Sequence, residues 1–133
     1  MTDEFASEAE RALADHPALE ERAEGFAVAT SPFEARVRVE GGTYRVTVRV
    51  PTIDAVVEGE SVAPVVREGW FETLERRVAD VSGVVRSNPE PPRVGLDDGD
   101  EMVVIRARIE GEAARGAADA KAFVDFVEGT YLQ

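Results

Sequence analysis

Hydrophobic residues recur along this chain with two periods, and the changes from one to the other mark out its elements. Between residues 34 and 50 the period is two. Ala35, Val37 and Val39 alternate with Glu34, Arg36, Arg38 and Glu40, and Tyr44, Val46, Val48 and Val50 alternate with Thr43, Arg45, Thr47 and Arg49. Gly41 and Gly42 separate the two runs, and Pro51 ends the second. Alternating runs joined by Gly-Gly predict a β-hairpin with one apolar and one polar face.

Elsewhere the period lengthens to that of a helix. Phe5, Ala9, Ala12 and Leu13 fall on one side of a helix predicted over residues 3–16, closed by Pro17. Trp70, Leu74, Val78 and Val81 form the stripe of a second over residues 69–81, with Phe71 beside it. Ala113, Ala117, Ala120, Val124, Val127 and Tyr131, widened by Phe123, form the stripe of a third starting near Glu112. Short strands are expected at residues 26–30 and 93–96, and a longer one at 101–109 with Val103, Ile105, Ala107 and Ile109 inward. Residues 52–68 read as a structured connection, because Gly59 and Pro64 interrupt any long helix. Val84 and Val85 suit a short strand, and residues 88–92, rich in proline, an extended loop.

The resulting order, α-β-β-β-α-β-β-α, predicts an α+β fold. One antiparallel sheet of about five strands carries the helices on a single face. At 133 residues with 44% hydrophobic content the chain suits one domain, spanning 1–133, with a packed core.

Charge changes this picture. The chain has 27 Asp+Glu against 15 Lys+Arg, a net charge of −12, and Lys121 is its only lysine. Six arginines nevertheless fall on alternating strand positions: Arg36, Arg38, Arg45, Arg49, Arg106 and Arg108. Met102 and Val104 share that parity, adding apolar atoms to the same surface. High acidity with arginine as the retained base fits a salt-filled cytoplasm, where charge keeps a protein dissolved. Screening there leaves a Debye length of only ~3 Å in ~1 M salt, so an anion site must act by short-range bidentate hydrogen bonds. Arginine supplies these and lysine does so poorly.

Candidate chemistry is sparse. Without cysteine there is no disulfide, thiolate nucleophile or thiolate metal site. The one histidine, His16, sits where a cation would complement a helix C-terminus, and it has no companion ligand. The acidic run Asp97–Glu101 lacks EF-hand spacing and reads as a hairpin tip. No phosphate-binding glycine loop, nucleophile elbow or dinucleotide fingerprint occurs. The acidic N-terminus has neither the basic nor the apolar region of a signal peptide, and no apolar run approaches the ~18 residues of a membrane span. A cytoplasmic protein without metal or cofactor is expected.

Two resemblances add to this. The stretch from Tyr44 through Arg77, with Tyr44-Arg45-Val46-Thr47-Val48-Arg49-Val50-Pro51-Thr52 and Gly69-Trp70-Phe71-Glu72, resembles a small uncharacterised protein family of halophilic archaea. The element order is similar to that of type III secretion chaperones, and the likeness implies dimerisation and the holding of partner segments.

The expected function is non-catalytic: a protein-binding, adaptor or chaperone-like module that docks partners, or a second copy in a homodimer, through the arginine-lined sheet face. Nucleic acid is disfavoured, since the outward positions carry no stacking aromatics and counterion release is costly in high salt. The alternatives are a small enzyme using Arg and Asp/Glu on an anionic substrate, and a single-stranded RNA-binding protein.

Overall fold

The computed structural model describes residues 2–22, 25–29, 33–40, 43–52, 63–79, 92–97, 102–110 and 113–131. In chain order these form α1 (Thr2–Asp15), β1 (Leu19–Arg22), β2 (Gly25–Val28), β3 (Glu34–Glu40), β4 (Thr43–Pro51), α2 (Pro64–Ala79), β5 (Arg93–Asp97), β6 (Met102–Ile109) and α3 (Ala113–Tyr131). The expected α+β architecture is what the chain adopts. Every strand pairs antiparallel with its neighbour in one six-stranded sheet ordered β1-β2-β3-β4-β6-β5.

The hairpin has the register its alternation demands. Val39 faces Tyr44, Val37 faces Val46 and Ala35 faces Val48 on the apolar side. β4 and β6 then align Val46 with Ala107, Val48 with Ile105 and Val50 with Val103. Val46, Val48, Val50 and Ile105 are wholly buried, each burial contributing roughly 1.5–3 kcal/mol. One hydrophobic cluster joins this face to Leu13 of α1, Leu74 and Val78 of α2, and Phe123, Val124 and Val127 of α3. All three described helices therefore lie on the valine face, with α1 against β1 and β3, α3 across β4 and β6, and α2 against α3.

Two features depart from the expected elements. The sheet has a sixth strand, β1, where Leu19 pairs with Val28 and Arg22 with Gly25. The second helix begins five residues earlier than its stripe suggests. Pro64 does not interrupt it but opens it, with the Ala63 carbonyl accepting from the Arg67 amide at 3.1 Å. Proline at a first helical position lacks only an N–H that would be unpaired there anyway. Residues 84–85, the loop at 88–91, the turns at 41–42 and 98–101, and the 53–62 part of the connection lie outside the described residues.

Tyrosines fasten the layers together. Tyr44 of β4 is wholly buried and its hydroxyl donates to the Ala113 carbonyl of α3 at 2.6 Å. Tyr131, at the end of α3, donates to the Pro51 carbonyl at 3.0 Å and meets Phe33 and Trp70 edge-on, with ring centroids 4.9 and 6.2 Å away. Burial pushes the Tyr44 phenol up to about 12, and it moves Tyr131 in the same direction. A raised phenol pKa means the folded chain keeps a proton that the unfolded chain has released. Tyr44's contribution is therefore whole below pH 10 and is lost as pH rises towards about 12. Alkaline unfolding followed by circular dichroism is expected to fall more steeply in wild type than in Tyr44→Phe over that window. Identical slopes would contradict it.

Candidate functional site: the arginine face

Cross-strand partners share a face, so the register places every arginine of the sheet. Arg36 pairs with Thr47 and Arg38 with Arg45; on the other side of β4, Thr47 pairs with Arg106 and Arg45 with Arg108. Arg49 lies opposite Glu34 and Val104, and Met102 lies opposite Pro51. All eight residues that the alternation singled out therefore occupy the face away from the helices. The structure adds Arg93, opposite Arg106, and Arg22, opposite Gly25. β5 could have yielded Arg93 from sequence, since Arg93, Gly95 and Asp97 alternate with Val94 and Leu96. β1 offers no such signal, because Glu20, Glu21 and Arg22 are charged on both sides.

The arginines are not equivalent. Arg49 is held twice, by Glu34 at 3.5 Å and Asp97 at 3.1 Å, and its side chain is only 25% exposed. It belongs to the sheet's own framework. Arg45 pairs with Glu40 at 3.1 Å and Arg108 with Glu110 at 3.5 Å, in pairs that are half-exposed and sit at one rim. Such pairs contribute about 0–1 kcal/mol. Among the described residues, Arg36, Arg38, Arg93 and Arg106 take part in no ion pair. The two apolar candidates also differ: Met102 is half-buried, whereas Val104 is 6% exposed and offers a partner little area.

Two rows of like charge cross the sheet. One runs Arg38, Arg45, Arg108 across β3, β4 and β6; the next runs Arg36, Thr47, Arg106, Arg93 across β3, β4, β6 and β5. Like charges directly opposite one another are destabilising. Gly25 helps to set the first row. Its φ is 127°, and a Cβ there would lie 2.7 Å from Arg38 Cγ, so the bare backbone of β2 leaves room for the arginine stem. Arg38→Glu keeps that Cγ and turns a repulsion with Arg45 into an attraction. It is expected to raise stability by about 0.2–1 kcal/mol, read as a higher urea midpoint at low salt. A lower midpoint would mean that the row is not repulsive.

The remaining candidates take structural roles. His16 Nδ1 accepts from the Ala18 amide at 3.1 Å, so the ring closes the turn into β1. Trp70 and Phe71 pack against the core, half-buried. On the helical side, a cavity of about 340 Å³ between α2 and α3 is lined by Val66, Gly69, Trp70, Thr73, Leu74, Arg77, Thr130 and Tyr131. Among the described residues its lining includes one cation, Arg77, and no carboxylate. Among the described residues, no group of three or more His, Cys, Asp or Glu is placed to hold a metal ion, and no helix is long and apolar enough to cross a membrane.

Residues 14–133 match DUF5813, a family of unknown function. No curated protein matches the chain.

Proposed function

The chain belongs to the DUF5813 family, and with no activity attached to that family we propose, from its sheet face, that the protein binds an acidic segment of another protein without catalysis. The observation that carries this reading is the pair of like-charged rows, in which four arginines have no acid partner among the described residues. A face arranged only for stability would interleave its charges, as Arg49 does with Glu34 and Asp97. Carboxylates of a partner would supply the missing half.

Self-association through the same face fits less well. A two-fold dimer would set these arginine rows against their own copies. Catalysis also fits less well, since among the described residues the cavity with an arginine has no carboxylate in its lining, and the carboxylates among the arginines are engaged by them. We propose a salt-rich cytoplasm as the setting, which the acidic remainder of the chain suits, and with it a halophilic provenance. The type III secretion chaperone likeness supports the same role by analogy of element order.

Salt separates the partner classes. A labelled peptide of alternating glutamate and valine, and a labelled single-stranded oligoribonucleotide, are titrated at about 0.15 M and about 2 M KCl, between which the Debye length falls from ~8 Å to below ~3 Å. Saturable peptide binding is expected to persist at the higher salt while RNA binding is lost. RNA binding that outlasts peptide binding would overturn the assignment.

A further inference from the structure

We propose that the row Arg36, Thr47, Arg106, Arg93 seats a phosphorylated side chain of the partner. The inference rests on the docking reading above and names the partner's chemistry. These four residues are direct register neighbours across β3, β4, β6 and β5. Neighbouring cross-strand Cβ atoms lie about 4.5–5.5 Å apart, so two guanidiniums flank the Thr47 hydroxyl and both can close on one small anion above it. None of the three arginines is committed to an acid among the described residues.

Stoichiometry favours phosphate over carboxylate. A carboxylate offers two acceptor oxygens, which one arginine fork can fill. A phosphorylated serine carries a charge of about −1.5 to −2 and three acceptor oxygens, enough for two or three forks and a hydroxyl donor. The Arg38, Arg45, Arg108 row lies two residues along the strands, roughly 7 Å away; Arg45 and Arg108 are balanced by Glu40 and Glu110, and Arg38 adds positive potential on one side. An unmodified acidic segment would leave much of this charge unmatched. A phosphorylated one would not. The contacts are short-range and bidentate, so they withstand screening better than long-range attraction does.

The probe is the glutamate–valine peptide carrying one central serine, unmodified or phosphorylated, titrated calorimetrically into wild type, Arg36→Gln/Arg106→Gln, Thr47→Val and the control Arg115→Gln on α3. Phosphorylation is expected to tighten binding to wild type and control by at least about tenfold. The arginine double variant should reduce that gain to within about twofold, with the unmodified peptide still bound. Thr47→Val, which leaves every arginine in place, should reduce it by about threefold and serves if the double variant misfolds. If phosphorylation fails to tighten wild type while the unmodified peptide binds, the phosphate seat is wrong and the docking reading stands. A gain that survives in both variants places the phosphate elsewhere and overturns the seat. Absence of binding by either peptide overturns both.

Discussion

A single methyl group added at position 116 is expected to lower stability by about 2–3 kcal/mol, more than any surface change. Gly116 lies in the first turns of α3, directly over the ring of Tyr44. A Cβ there would collide with Tyr44 Cε2 and lie 2.7 Å from Cδ2. Neither side can give way readily. The ring is wholly buried, its hydroxyl is tied to the Ala113 carbonyl, and its register partners Val39 and Ile109 stand on either side. Replacing glycine by alanine in a helix would otherwise gain about 1 kcal/mol, so the sign of the change decides whether the contact is real. Urea denaturation of Gly116→Ala should show a lower midpoint with an unchanged slope. In the double variant with Tyr44→Leu the two losses should be strongly non-additive, because a smaller side chain frees the space that the added methyl would need. A rise in midpoint for the single variant would remove Tyr44 as the strut between helix and sheet.

That strut matters to the open face. Tyr44 points inward and its neighbour Arg45 outward, so the contact that locks α3 onto β4 also fixes the central arginine of the first row. Here the packed side of the sheet and the proposed docking side are linked through one residue step along a strand.

The second large effect concerns binding. Arg38→Glu/Arg45→Glu/Arg106→Glu is expected to abolish capture of the acidic peptide, a loss of at least about 100-fold, while the fold persists. Each substitution removes a donor fork and puts a like charge in front of the partner's carboxylates, and each such truncation or repulsion costs about 2–5 kcal/mol where the contact is desolvated. The fold should tolerate the change because Arg38 and Arg106 are exposed and unpaired among the described residues, and the Arg45–Glu40 bridge is half-exposed. Cooperative urea unfolding of the triple variant confirms the fold. Undiminished peptide affinity in a folded triple variant would show that the arginine rows are a solvated surface and nothing more.

Much of this surface was legible in the sequence because strict alternation forces it. Once β3 and β4 pair antiparallel with Val39 opposite Tyr44, Arg38 must face Arg45, and the parity of β6 brings Arg106 and Arg108 to the same side. What alternation could not reveal was set by distant neighbours. Arg49 has the same parity as the others, yet Asp97, 48 residues away, neutralises it. Val104 has outward parity but is 6% exposed, in a central strand between Arg49 and Gly95. β1 was hidden because three of its four residues are charged, and only pairing with β2 makes it a strand. The start of α2 was hidden because proline reads as a break unless its place at the first helical position is known.

The most direct measurement of the face's role is the shift of arginine Nε–Hε resonances as the glutamate–valine peptide is added in high salt. Arg36, Arg38, Arg93 and Arg106 should move together and saturate at one equivalent. Arg49, already held by Glu34 and Asp97, should move least, and Arg11 and Arg115 on the helical side should stay in place. Movement confined to Arg11, Arg76, Arg77 or Arg115, with the sheet arginines still, would contradict a docking role for this face.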